Sequence, residues 1–174
     1  TLRSAVRDFY LRRLGLDFPL PTILIASGAR PAIYAAYRAV VNPGENVVFG
    51  VPQWNNDYYC GLIGAQAVAL DCDASTGFLP TAERLRPHIR DARMIALNSP
   101  LNPTGTAFDA GQLSAICDLV LEENARRAGK DRPLFVLYDQ VYWMITNGIK
   151  HVDPITLRPE IAPYVIIVDA TTGT

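Results

Sequence analysis

The chain has 174 residues, 49% of them hydrophobic and 19% charged, with a formal net charge of −1. That length suits one domain, with roughly 70% of the unfolded chain's surface available for burial. The near-neutral charge excludes the basic excess that nucleic acid or an anionic membrane surface requires, and no apolar run approaches the roughly 20 residues that span a bilayer. Cys60, Cys72 and Cys117 are odd in number and lack metal-ligand spacing. They read as core filling in a protein of the reducing cytoplasm.

Residues 2–16 read as an amphipathic helix with Leu2, Val6, Phe9, Tyr10 and Leu14 on one face and arginines on the other. This pattern opens directly at Thr1, so no secretory leader is expected. Residues 22–26 (TILIA) read as a first strand. They run into Ser27-Gly28-Ala29-Arg30-Pro31 and a helix over residues 32–41, which Asn42-Pro43-Gly44 ends. A strand, a glycine turn and a helix N-terminus in this order form a natural anion site, because unpaired N–H groups and the helix dipole both favour phosphate. Many such turns bind nothing, so the signal is weak taken alone.

Residues 46–49 read as the second strand. Trp54 lies just past its end, where a flat aromatic either caps the core or stacks on a planar heterocycle. Asn55 and Asn56 read as a helix start. Residues 65–70 form the third strand, and residues 71–78 a solvated turn whose spacing does not match an EF-hand loop. Residues 81–89 suggest a short helix. His88 on it, and His151 in a later loop, read as surface residues.

Residues 93–97 form the fourth strand and deliver the turn Asn98-Ser99-Pro100-Leu101-Asn102-Pro103-Thr104-Gly105. Asp109 and Gln112 have capping-box spacing and open a long helix to about Ala128, with Leu113, Ile116, Cys117, Val120 and Leu121 inward and Gly129 at its end. Residues 134–137 form the fifth strand, followed by Asp139, Tyr142 and Trp143. Residues 147–163 read as a loop, and residues 164–168 as the sixth strand. This alternation predicts an α/β fold: a mostly parallel sheet with helices on both faces. Ligands of open α/β sheets bind beyond the carboxyl ends of the strands. Asn102, Asp139 and Tyr142 are therefore expected to share one crevice. A nucleotide-binding doubly wound domain is disfavoured, because neither G-x-G-x-x-G nor a P-loop is present.

Four motifs occur in a telling order: the Ser27-Gly28 turn, an aromatic after the second strand, Asn102-Pro103-Thr104-Gly105, and Asp139-x-x-Tyr142. Together with the leucine- and arginine-rich opening helix they resemble the large domain of the class I/II pyridoxal-phosphate aminotransferases, of fold type I. The resemblance covers nearly the whole chain, although the chain covers less than half of a typical member. It implies pyridoxal 5′-phosphate as cofactor. The turn at Gly28, the amides of Ala29 and Arg30, and the Arg30 guanidinium would take its phosphate; Pro31 has no N–H to give. Trp54 would stack on the ring. Asp139 would keep the ring nitrogen protonated, since a nearby opposite charge favours the charged form. Asn102 and Tyr142 would donate to the ring's phenolate oxygen. Read without the resemblance, Asp139 serves equally well as a turn cap, Asn102 as a plain turn residue and Tyr142 as a packed aromatic.

The resemblance further implies amino transfer between an amino acid and a 2-oxo acid in a cytoplasmic homodimer. The same residues suit a lyase or decarboxylase of this fold, or a homologue that has lost catalysis. The pattern breaks at the lysine that attaches the cofactor and shuttles the proton. In many relatives it lies four residues past the aspartate of the sixth strand, which here is Gly173. The two lysines present, Lys130 and Lys150, follow a surface helix and sit in a loop, and neither is assigned the role. The catalytic residue is therefore unknown. Residues 1–174 are expected to be a partial large domain, with the N-terminal arm, the catalytic-lysine segment and the C-terminal small domain outside it. The family inserts a seventh strand between the first and sixth. Without it the sheet is expected to show a gap or unpaired edges and an exposed apolar surface, and the chain to be marginally stable.

Overall fold

The computed structural model describes residues 1–146 and 148–170. Its centre is a five-stranded sheet: β1 (Asn46–Val51), β2 (Gln66–Asp71), β3 (Ala92–Asn98), β4 (Phe135–Asp139) and β5 (Val165–Val168). The order is β2-β1-β3-β4-β5, and every neighbouring pair is parallel. Parallel neighbours cannot be joined by a hairpin, so the chain crosses over between them. The principal helices are α1 (Leu2–Leu14), α2 (Ala29–Val40), α3 (Asn56–Ile63) and α5 (Ala110–Arg127), with α4 (Ala82–Leu85) and α6 (Pro154–Leu157) of a single turn each.

Side chains alternate across a strand, so each buried strand feeds two cores. On one face Val48, Ile95, Leu97, Val136 and Tyr138 pack with Leu113, Ile116 and Val120 of α5. On the other face Val47, Phe49, Met94, Ala96 and Leu137 meet Ile33, Ala36, Tyr37 and Val40 of α2, and Tyr59, Cys60 and Ile63 of α3. Residues 92–97 of β3 are all buried, as a strand covered on both faces must be. The α/β architecture expected from the alternation is therefore present. The capping box of α5 is also present: Gln112 N donates to Asp109 Oδ1 at 2.7 Å, and Asp109 N to Gln112 Oε1 at 3.0 Å. All three cysteines are buried and free.

The structure departs from three sequence expectations. Residues 22–26 do not form a strand; Leu20–Thr22 is a 3₁₀ turn and the rest is irregular. A strand exists through its ladder bonds, and no described strand pairs with this segment, which leaves Leu24 74% exposed. Of the expected gap or unpaired edges, the described strands show the second: they form a continuous sheet whose open edges are β2 and β5, and the expected apolar exposure is seen at Leu24. Residues 147–163 contain structure rather than a bare loop. Asp153 caps α6 by accepting from Thr156 N at 2.8 Å, Pro154 occupies the first turn, and a 3₁₀ stretch follows at Pro159–Tyr164. The helix expected over residues 81–89 shortens to α4, because Pro87 has no N–H with which to continue the ladder beyond Arg86, which itself keeps helical φ and ψ.

At the amino end of the sheet one guanidinium ties α5 to the segment entering β3. Arg127 is buried and donates to Glu123 Oε1 at 2.6 Å, to the carbonyls of Ile89 and Ala92 at 2.6 and 2.8 Å, and to that of Arg132 at 3.2 Å. Arg127→Ala removes one partner of a buried ion pair and leaves carbonyls unpaired. The expected loss of stability is about 3–5 kcal/mol. Arg127→Lys should recover only part of it, since an ammonium cannot reproduce the fork. Urea unfolding measures both; a loss below about 1 kcal/mol for Arg127→Ala would mean that water replaces the guanidinium.

Candidate functional site at the carboxyl ends of the strands

The register of β3 on β4 sets Asn98 level with Asp139. Asn98 Nδ2 and Ser99 N both donate to the Asp139 carbonyl, at 3.0 and 2.9 Å. Asn98 Oδ1 accepts from Asn102 N at 2.9 Å, which folds the Asn-Pro turn back over the strand ends. Asn102 Nδ2 then reaches Tyr142 Oη at 3.1 Å. One asparagine that apolar periodicity treats as a strand terminus thus organises two of the expected site residues. Its signal was its place as the first polar residue after a buried run.

Gly28 is the N-cap of α2 with φ of 122°, in the region that favours glycine. The amides of Ala29 and Arg30 make no hydrogen bond among the described residues, as expected for the first turn of a helix. The Arg30 guanidinium lies 5.5 Å from the ring centroid of Trp54, a cation–π contact that joins two residues distant in sequence. Trp54 is half exposed. Asn55 and Asn56 start α3, and Asn56 accepts from Tyr37 Oη at 2.8 Å.

The Asp139 carboxylate accepts only from Val141 N, at 3.2 Å, among the described residues. Burial pushes its pKa up to about 6; the Val141 N–H opposes this and the charge of Asp169 adds to it. Burial likewise raises Tyr59, with Arg30 acting against that shift and Asp139 reinforcing it. The Tyr59 phenol therefore feels both the Arg30 end and the Asp139 end of the crevice.

Behind the crevice lies a polar cluster that the sequence reading missed. Asp169 Oδ2 accepts from Tyr10 Oη at 2.6 Å and from Trp143 Nε1 at 2.8 Å. The fully buried Gln140 reaches Tyr10 Oη at 3.5 Å and pairs with His151 Nε2 at 3.2 Å. His151 is consequently not the surface residue expected of a loop histidine. The Asp153-capped turn folds it between Tyr138 and Trp143, and burial lowers its pKa. The helical pattern marks Tyr10 only for its apolar ring. The cysteines offer no nucleophile: burial pushes Cys60 up to about 11 and Cys117 up to about 12. No cluster of metal-binding side chains occurs among the described residues, and no described helix is long and apolar enough to cross a membrane.

The family model for class I and II aminotransferases matches residues 1–169. The chain belongs to the class I and II aminotransferase family. An aspartate aminotransferase of Rhizobium meliloti strain 1021 is 31% identical over 163 residues, covering 91% of this chain and 37% of that protein. An arginine–pyruvate transaminase of Pseudomonas aeruginosa is 27% identical and covers 90% and 38%. The crystal structure of the Rhizobium meliloti aspartate aminotransferase superposes with a TM-score of 0.89 at 28% identity, covering 98% of this chain and 42% of that one. The N-succinyldiaminopimelate aminotransferase of Mycobacterium tuberculosis gives 0.83 at 26%, covering 97% and 43%. The chain thus spans about two fifths of the length of these aminotransferases.

The raised pKa of Asp139 yields a stability prediction for the ligand-free chain. A carboxylate with a folded pKa of about 6 and an unfolded value near 3.9 stabilises the fold fully below about pH 4, and this contribution is lost as pH rises through about 6. At about pH 7 the charge therefore destabilises the fold, by of the order of 3 kcal/mol. Asp139→Asn should raise the urea midpoint at about pH 7, equivalent to about 1–3 kcal/mol, and leave it unchanged near pH 4. Equal effects at the two pH values would refute the burial account.

Proposed function

We propose that this chain is the cofactor-binding part of a pyridoxal-phosphate-dependent aminotransferase. In this reading residues 1–174 are a partial large domain, and the parent protein transfers an amino group between an amino acid and a 2-oxo acid. The observation that carries the reading is a desolvated carboxylate at Asp139 with no described cation partner, set beside the Asn102–Tyr142 pair in a chain of this family. A protonated ring nitrogen would supply the missing cation.

The residues at hand fit that cofactor. The turn at Gly28 and the open amides of Ala29 and Arg30 suit its phosphate, with the helix dipole and the Arg30 charge adding attraction. Trp54 offers a half-exposed aromatic face. Asn102 and Tyr142 hold donors toward a ring oxygen. When bound, pyridoxal phosphate supplies an electron sink for negative charge at the amino acid's Cα. Asp139 keeps the proton on the ring nitrogen by holding an anion against it. Tyr142 and Asn102 stabilise an oxyanion and fix one another's orientation.

The lysine is not assigned. Gly173 stands at the spacing where relatives carry it and lies outside the described residues, while Lys150 is exposed and Lys130 follows the end of α5. The buried free cysteines suit a cytoplasmic protein, and the family likeness favours a homodimer for the parent. The named relatives differ in substrate, so the amino acid is left open.

Pyridoxine 5′-phosphate, which carries an alcohol in place of the aldehyde and cannot attach to a lysine, is the suitable probe. It should quench the fluorescence of Trp54, and Trp54→Phe should abolish that quenching. Arg30→Gln and Asp139→Asn should each weaken binding about tenfold, about 1.4 kcal/mol. Pyridoxine without its phosphate should be insensitive to Arg30→Gln. Absence of quenching at millimolar probe would defeat the cofactor assignment. Amino transfer by the parent protein, assayed with paired amino acids and 2-oxo acids, tests the reaction itself.

A further inference from the structure

The polar cluster behind the crevice centres on one carboxylate. β4 and β5 are parallel neighbours with Asp139 paired to Val168, so Asp169 stands one residue beyond the strand partner of Asp139. The Val168 carbonyl accepts from Gln140 N at 2.9 Å, which fixes the two strand exits against each other. Asp169 Oδ2 takes both the Tyr10 hydroxyl and the Trp143 indole N–H, and Oδ1 takes Ala170 N at 2.7 Å. Around these bonds Phe9 meets the Trp143 ring edge-on at 6.0 Å, and Tyr10 meets Phe18 at 5.5 Å. Tyr10 is the only residue of α1 that is buried, so the helix is seated chiefly through this ring and its hydroxyl.

We propose that Asp169 is a positioning residue of the crevice: it clasps α1 and the Tyr142–Trp143 turn to the end of β5 and places a second carboxylate beside Asp139. The inference builds on the assignment of Asp139 as the anion facing a protonated ring nitrogen. Two neighbouring carboxylates at one strand end make the crevice favour a cation more strongly than one does. Three donors orient Asp169, so its charge stands in a fixed place. The other groups around this pair are Arg30 on α2, Tyr59 on α3, Tyr142 in the turn after β4, Tyr10 on α1, and His151 with Asp153 ahead of α6. Arg30 is the one cation among them and sits at the Trp54 end. Carboxylates are the permanently charged groups named at the Asp139 end, and burial disfavours a charge on His151, against the pull of Asp153 and Asp169.

The test is a carboxyl-carbon NMR titration of the ¹³C-labelled chain, free of ligand. Asp169→Asn retains an oxygen acceptor for Tyr10 and Trp143 but removes the charge. The Asp139 midpoint should fall from about 6 by about one pH unit; a midpoint that does not move overturns the charge role. Asp169→Ala removes the acceptor as well. Amide hydrogen exchange of α1 should then rise at least tenfold, and unchanged exchange overturns the clasp. Should the variants fail to fold, the unmodified chain still decides. The Trp143 indole proton should show an inflection at the Asp139 midpoint, and a flat response overturns the coupling of the two carboxylates. These readouts need no cofactor, so failure to bind pyridoxine 5′-phosphate would sink the proposed function while leaving the carboxylate coupling standing.

Discussion

The register of β3 against β4 is the constraint on which the rest of the crevice depends. Placing Asn98 level with Asp139 lets one side chain bridge two strand exits, through Nδ2 to the Asp139 carbonyl and Oδ1 to Asn102 N. A slip of one residue would turn the side chains of β4 onto the opposite faces of the sheet. Tyr138, now in the α5 core, would trade places with Asp139, and a carboxylate would enter the apolar interior. Hydrophobic burial on both faces of the sheet therefore fixes the register, and the register fixes the crevice. The geometry of the crevice is in this way a consequence of packing decided elsewhere.

The two ends of the sheet spend charge differently. At the amino end, Arg127 and Glu123 are buried together, and nearby backbone carbonyls take up the remaining donors. Arg93 is held in the same way by Glu45 and the Pro133 carbonyl. Those groups are satisfied, so they add rigidity. At the carboxyl end Asp139 is left with a single backbone N–H. A fold can maintain a desolvated carboxylate with so few donors only where the surrounding structure is firm, and functional sites are where such groups gather.

Much of this architecture was legible in the sequence. Five strands, the α5 capping box and the helix start after Gly28 follow from periodicity and local cap chemistry, which act over a few residues. The segment at residues 22–26 was misread because an apolar, β-branched run states only a preference; a strand also needs a partner, which no local pattern reports. His151 was misread because its burial depends on Asp153 capping a turn that folds back over the sheet. The meeting of Arg30 with Trp54, and of Tyr10 with Asp169, joins residues that no spacing rule connects. The individual members of the crevice were visible through their resemblance to a known family, whereas the polar groups supporting them were not, since such partners vary with the packing around each site.

The bond from Tyr10 to Asp169 spans 159 positions of sequence. The entropy of closing a loop grows with its length, and contacts this distant gain little until the intervening chain is compact. The β-sheet and α5 can assemble from nearer pairings, so α1 docks late. During synthesis from the N-terminus, α1 is made before β5 and has no seat until β5 and its following carboxylate have been made. The surroundings of Asp139 are therefore completed only when two residues 159 positions apart in sequence have met.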